Sequence, residues 1–306
     1  GQRLLMGAFG AKNRGVPLEA APLARAVAAK AYQAGARHVD VIWRDDQIIR
    51  SRFKYADPDT FEELPTWKAD VSVDYMQRGD AIFNVSASSP NLLSDQDPAL
   101  VRKDQHAAAR LAQPVTNLIA NSATNWNVAS APSSDWSAMV LPDVAPAHRE
   151  VAMWDLIFEM CRIKQDDPVA AWHAHIDALI ARAEHLNGKR YVALHLKAPG
   201  TDLRIGLADG QIWRSGGLTS KAGVFFSANI PTEEVFTMPH KTRVEGEIRS
   251  TKPLSVGGSV IDNFTLTFEQ GKIVKAVAEK GEEALHSLLE TDEGASFIGE
   301  IALVPH

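Results

Sequence analysis

The alternation of apolar runs with an alanine-rich helical segment constrains the first part of the chain most strongly. Residues 4–6 are typical of a short buried strand, and a glycine-rich loop, residues 7–15, follows. Residues 17–35 predict a helix, with proline near its start and glycine at its end, and residues 39–43 predict a second strand. Two strands joined by a crossover helix require parallel pairing, so this segment predicts a βαβ unit.

The same alternation continues through the first half of the chain. Residues 81–85 predict a strand, Asp97 to Gln113 a helix, and Asn117 to Asn121 a further strand. Strands that alternate with helices are typical of α/β proteins. The first half is therefore predicted to be a small α/β domain with a mainly parallel sheet.

The pattern changes twice in the second half. Residues 146–187 predict two helices, separated at Asp166-Asp167-Pro168. After Gly188, short apolar runs alternate with turn signals such as Asp209-Gly210, which predicts a hairpin of residues 203–207 with residues 211–213. One clear helix is predicted there, at residues 280–290.

These segments predict an α/β plus α+β protein of two domains. Residues 1–187 form the N-terminal α/β domain with a helical connector, and residues 188–306 form a mostly antiparallel, β-rich C-terminal domain. The length of 306 residues is sufficient for two ordinary cores.

Composition excludes several classes of function. The net charge of −6 and the absence of a Lys/Arg-rich block argue against nucleic acid as a partner. No apolar run approaches the ~20 residues that span a bilayer, so we expect no membrane insertion. The chain opens on Gly1-Gln2-Arg3 with no visible secretory signal, and its lone Cys161 cannot form an intramolecular disulfide. A cytoplasmic protein is expected.

The common catalytic motifs do not identify a function for this chain. HExxH, CxxC and GxSxG are absent, and the loop of residues 7–15 fits neither GxGxxG nor GxxxxGK[ST]. That loop could hold an anion at the following helix start, but a tight strand-to-helix turn explains its glycines equally well. His173 and His175 lie two residues apart on a predicted helix and therefore point to different faces, so we interpret both as surface residues. Cys161 lies on an apolar helix face and is interpreted as a core residue.

Carboxylates beside apolar strands are the strongest candidates for chemistry. Glu233 and Glu234 are adjacent, between Pro231 and an apolar pair, so in an extended segment only one of them would face the interior. Glu300 opens a predicted buried strand, where a carboxylate is unfavourable unless it is paired or binds metal. From the residues alone, a salt bridge to Lys or Arg is as acceptable as a metal site.

Six motifs of the C-terminal half carry a resemblance to a known family. In order, they are IPTEEVFT, VEGEI, KPLSVGGSVI, AEKGEE, LLETDEGA and GEIALVP, and Asn125-Trp126 and Val140-Leu141-Pro142-Asp143 add to them in the first half. The chain resembles the M29 family of metallo-aminopeptidases, the thermophilic aminopeptidase family, over nearly its whole length.

The resemblance implies an aminopeptidase that removes N-terminal residues from a peptide substrate with two divalent metal ions of the Zn, Co or Mn class, and that acts as a homodimer. It implies Glu234 as a metal ligand, with Glu233 as the second choice, and Glu300 as a metal ligand and catalytic residue. The family's remaining ligands, two histidines and an aspartate, and its catalytic tyrosine lie beyond His306. The 306 residues alone are therefore expected to be inactive. The alternative is a non-catalytic or degenerate homologue that binds a small ligand in its α/β half.

Overall fold

The computed structural model describes residues 1–10, 14–87, 89, 91–256 and 259–305. The chain forms two compact units. The first unit comprises residues 1–172 and 217–232, and the second comprises residues 173–216 and 233–306. The domain boundary predicted after residue 187 falls inside a helix, Pro168–Lys189. The division into two domains at residue 187 stays a prediction.

The α-helices and the strands, numbered along the chain, have these bounds. The helices are α1 Ala21–Gln33, α2 Asp46–Tyr55, α3 Trp67–Gln77, α4 Pro98–Ala120, α5 Ser134–Val140, α6 Pro146–Met160, α7 Pro168–Lys189 and α8 Glu282–Leu289. The strands are β1 Arg3–Met6, β2 Val16–Pro17, β3 His38–Val41, β4 Trp43–Arg44, β5 Ala81–Ser86, β6 Trp126–Ser130, β7 Ala193–Ala198, β8 Thr201–Leu207, β9 Arg214–Ser215, β10 Gly217–Thr219, β11 Phe225–Ser227, β12 Asn229–Ile230, β13 Val235–Thr237, β14 Pro239–Arg249, β15 Leu254–Val256, β16 Ser259–Glu269, β17 Lys272–Lys280 and β18 Ile301–Leu303. In these ranges no helix is both long enough and apolar enough to cross a bilayer.

A five-stranded parallel sheet organises the first unit. Its strand order is β12-β6-β5-β1-β3, and every pair in it is parallel. Side chains of β1 alternate between two cores: Leu4 and Met6 pack with Ala24 of α1, whereas Leu5 packs with Met76 of α3. Because both faces are covered by helices, the strand is apolar after Arg3, from Leu4 to Met6. The predicted βαβ unit is confirmed.

One strand of the first half is predicted wrongly. Asn117 to Asn121 form the end of α4 and the residue after it, and the strand that pairs with β5 is β6, further along the chain. Pro114 does not end the helix, because buried Ala108, Ala112 and Val115 continue at helical spacing on its inner face.

Antiparallel sheets organise the second unit. The largest has the order β15-β16-β14-β8-β7, with β17 paired to β16. With the parallel sheet of the first unit, it confirms the predicted fold class. The predicted hairpin is wrong, because β8 pairs with β7 and β14. Residues 211–213 form no strand, and the Asn187 amide instead accepts from the backbone N–H of Trp213 at 2.8 Å and donates to its carbonyl at 3.0 Å. The helices predicted at residues 146–187 and 280–290 are confirmed.

Gly7 is required by a close crossing of backbone segments at the end of β1. Its φ is +80°, its N–H donates to the Phe83 carbonyl at 2.9 Å, and a Cβ there would lie 2.5 Å from the Ile42 carbonyl oxygen and 2.6 Å from the Val16 nitrogen. The tight-turn interpretation is confirmed for Gly7. The anion-binding alternative for this loop stays a prediction, since residues 11–13 lie outside the described residues.

We expect Gly7→Ala to destabilise the protein more than Gly35→Ala. Both glycines have positive φ, but a Cβ at Gly35 meets nothing within 4 Å. Gly35→Ala should therefore lower the free energy of unfolding only by the left-handed strain, about 1–2 kcal/mol. Gly7→Ala must also displace backbone. Denaturant unfolding of both variants measures the difference, and equal losses would show that the crossing at Gly7 can relax.

Candidate metal site

A three-stranded antiparallel sheet places the predicted site residues of the second unit. β13 lies between β18 and β9, and its register pairs Phe236 with Ala302 of β18. Val235 and Thr237 are buried, so Phe236 is on the other face. Glu234 directly precedes β13, and Glu300 directly precedes β18. If the alternation of side chains continues by one residue, both glutamates lie on the same face as Phe236, at opposite ends of the paired segment.

Burial and the charge of Glu300 both act on the Glu234 carboxyl. Burial raises the pKa of the half-buried Glu234 carboxyl, and the charge of Glu300 raises it further. Such repulsion between partly exposed groups is felt over roughly a Debye length, about 10 Å at 0.1 M salt. The charge of Glu300 therefore acts on Glu234, although the two glutamates are far apart in sequence.

Salt bridges do not account for this pair. Across the described ranges, neither Glu234 nor Glu300 has an ion pair with Lys or Arg. A half-buried carboxylate that is repelled by a second carboxylate is unfavourable when both are ionised. A divalent cation beside the two carboxylates would favour their ionised forms and so offset both the burial and the repulsion. Carboxylate oxygens are suitable ligands for such a cation. The donor chemistry of the pair fits a metal ion.

The carboxylate next to Glu234 makes a different contact. Glu233 Oε2 lies 3.3 Å from His175 Nε2, and the His175 side chain is 12% exposed. Adjacent glutamates thus have different environments, as the alternation predicts, and the contact with His175 favours Glu234 over Glu233 as the ligand. His173 is exposed, but the surface interpretation of His175 is wrong. The helical stripe of Trp172, Ile176 and Leu179 includes position 175, and this was the sequence signal for an inward side chain.

His195 and Cys161 have contacts of their own. His195 is half exposed, and its Nε2 lies 2.6 Å from Asp202. Cys161 packs against Met153 and Ile157, and burial raises the pKa of its thiol, which confirms its core role. Among the residues that the structure describes, no group of three or more His, Cys, Asp or Glu is arranged to hold an ion. Glu234 and Glu300 are therefore a pair and not a complete coordination shell.

The cleft of about 680 Å³ in the second unit is not built around the carboxylate pair. It lies between the end of α7 and the segment before β9, with Arg190, Tyr191, Asp209 and Ile212 in its lining. Neither Glu234 nor Glu300 lines it. The cleft and the candidate metal ligands are therefore separate features.

Comparison with known families decides the classification. The sequence model of the family described as thermophilic metalloprotease (M29) matches residues 15–306. The chain belongs to the M29 family of thermophilic metalloproteases. The resemblance carried by the C-terminal motifs is confirmed.

Relatives of this M29 chain are named as aminopeptidases. It is 42% identical over 290 residues to aminopeptidase 2 of Geobacillus stearothermophilus, covering 95% of this chain and 70% of that protein. It is 40% identical over 289 residues to aminopeptidase T of Thermus thermophilus, covering 94% and 71%. The solved structure of wild-type AmpT from Thermus thermophilus superposes with a TM-score of 0.91 at 37% identity, covering 100% of this chain and 73% of that chain. The fold and the metalloprotease class of this M29 chain therefore agree with those relatives.

Removing the charge of Glu234 should stabilise the metal-free M29 protein. A carboxyl with a raised pKa in the folded state weakens folding at neutral pH, because its ionised form is more favourable in the unfolded chain. Glu234→Gln should therefore raise the unfolding temperature of metal-stripped protein, and added metal should stabilise this variant less than wild type.

Glu293→Gln is the matched control, since Glu293 is an exposed carboxylate of the same unit. Thermal unfolding at pH 7, with and without metal, gives both comparisons. If metal-free Glu234→Gln unfolds at a lower temperature than metal-free wild type, the carboxylate makes a stabilising contact and its ionised form does not destabilise the fold.

Proposed function

We propose that the full-length protein is a metal-dependent aminopeptidase that releases N-terminal amino acids from peptides with water activated at two divalent metal ions. The observation that carries the proposal is the half-buried Glu234, whose pKa is raised by burial and by Glu300 and which has no cationic side chain as partner within the described ranges. Membership of a metalloprotease family supports it, as do relatives that are named aminopeptidases.

The two glutamates have different proposed roles. Glu234 is more buried, which suits a ligand held in a fixed position, and we assign it as a terminal metal ligand. Glu300 is exposed, which suits a carboxylate that must also reach water or substrate, and we assign it as a bridging ligand or as the base. When bound, a pair of divalent ions of the Zn, Co or Mn class supplies carbonyl polarisation and an acidic water near neutral pH.

Two carboxylates do not complete such a site. Transition-metal sites generally combine carboxylates with imidazole and further oxygen ligands, and the described residues offer no third ligand beside this pair. We propose that the remaining ligands and a catalytic tyrosine are supplied from outside these 306 residues, and that the 306 residues alone do not turn over substrate.

We expect Glu234→Ala and Glu300→Ala, each in the full-length protein, to abolish release of the amine from Leu- or Arg-type aminoacyl substrates and to lower bound metal. Substitution of an outer partner of a metal ligand typically costs about 10–100-fold in affinity or activity, so loss of a ligand itself should exceed that. Chromogenic assays with elemental analysis of dialysed protein measure both effects, and a chelator should remove wild-type activity.

Glu293→Ala serves as the control, because it removes an exposed carboxylate of the same unit. Wild-type activity in the Glu234 or Glu300 variant would refute the assignment of that residue. A full-length protein without metal and without turnover would instead support a non-catalytic or degenerate homologue that binds a small ligand.

The peptide substrate, the homodimer and the cytoplasmic location follow from the resemblance and the composition, and they are part of the same proposal. Light scattering of the full-length protein tests the dimer: a mass of one chain at assay concentration would contradict it.

A further inference from the structure

Three basic side chains of the first unit converge beside the carboxyl ends of the parallel strands. Arg14 follows β1, Arg44 ends β4, and Lys68 is in the first turn of α3. In the sheet order, β1 has β3 on one side and β5 on the other, so the chain reverses its direction of winding between β1 and β5. Open α/β sheets bind ligands in the crevice at such a switch point.

Each arginine of this cluster has a carboxylate partner. Arg14 Nη2 lies 2.7 Å from Asp104 Oδ2, and the same carboxylate also accepts from Arg52 at 3.2 Å. Arg44 Nε lies 3.1 Å from Asp46 Oδ1, with both side chains almost fully buried. The arginines are therefore held in fixed positions.

Lys68 is different, because its partners among the described residues are uncharged: its Nζ lies 5.5 Å from the centre of the Trp67 ring. Its Nζ donates to the Arg14 carbonyl at 3.3 Å, and within the described ranges it has no carboxylate partner. Burial lowers the pKa of its ammonium, and the charges of Arg14 and Arg44 lower it further. Its position in the first turn of α3 adds the unfavourable positive end of the helix dipole.

Local acidic groups do not neutralise this excess. Glu19 and Asp45 act on the Asp46 carboxyl, whose pKa is raised mainly by burial, whereas the pKa of Lys68 is lowered by burial, Arg14 and Arg44. The cluster therefore contains one ammonium, that of Lys68, without a carboxylate partner among the described residues, beside two arginines.

We propose that Arg14, Arg44 and Lys68 form a binding site for the oxyanion of a small ligand, a carboxylate or a phosphate. The Lys68 ammonium contacts the oxyanion directly, since it has no carboxylate partner among the described residues. The two arginines, each paired with a carboxylate, add positive charge. One bound oxyanion removes the burial penalty and the repulsion at Lys68 together. The site lies within the first unit and uses neither Glu234 nor Glu300, so its test is independent of the proposed function.

Binding of inorganic phosphate to the full-length protein tests the site directly. By calorimetry at fixed ionic strength, wild-type protein should bind phosphate saturably and chloride not at all. Lys68→Met should weaken phosphate binding about tenfold, the loss typical of one charged hydrogen bond, whereas Lys68→Arg should retain most of it. Lys30→Met, which removes an exposed lysine of the same unit, should bind as wild type.

Two further arms identify the source of the oxyanion and separate the two sites. Binding of an N-acetylated dipeptide but not of its C-terminal amide, lost in Lys68→Met, would assign the site to a peptide carboxylate. Phosphate binding alone would assign it to a phosphorylated ligand. Either response should persist in Glu300→Gln, which alters only the candidate metal site. No saturable binding in wild type, or equal affinity in Lys68→Met, would overturn the proposal.

Discussion

Glu234 is held partly out of water and within the field of Glu300, and both effects make its ionised form less favourable than a carboxylate in solvent. The strand pairing contributes to this arrangement, because β13 is paired with β18 and β9 and Glu234 directly precedes it. Proteins are stable by only about 5–15 kcal/mol, so an uncompensated carboxylate of this kind is a considerable burden. Such a cost is expected where the charge has a function, and this is the basis on which we propose the pair as metal ligands.

Other partly buried charges of the protein are paired with opposite charges, and Glu234 and Lys68 differ from them. Arg3 donates to both oxygens of Asp80, through its backbone N–H and its guanidinium, and lies 4.2 Å from the centre of the Tyr75 ring. Asp104 is shared by two arginines. Glu234 and Lys68, one in each unit, are half-buried charges whose pKa values are shifted first by burial and then by neighbours of like sign. Their opposite charges correspond to opposite ligands, a cation at Glu234 and an oxyanion at Lys68.

Local pattern was sufficient for much of the fold and misleading where tertiary contacts outweighed it. The first βαβ unit and α6, α7 and α8 follow from periodicity and from proline and glycine positions. Pro114 and the polar residues after it predict the end of a helix. The packing of Val115 and its neighbours nevertheless extends α4 to Ala120. The Asp209-Gly210 turn signal predicts a hairpin of β8 with residues 211–213, although β8 pairs with β7 and β14. Short apolar runs do not specify which strand they pair with.

The sequence by itself determined the fold class, the family and the identity of Glu234 and Glu300 as candidates, because apolar periodicity and ordered motifs are properties of the linear chain. Only the tertiary structure decided that these two carboxylates repel each other, that His175 contacts Glu233, and that Lys68 joins Arg14 and Arg44. Each of these facts depends on burial and on distances between segments far apart in the chain. Electrostatic energies vary with both quantities, and neither can be read from the order of residues.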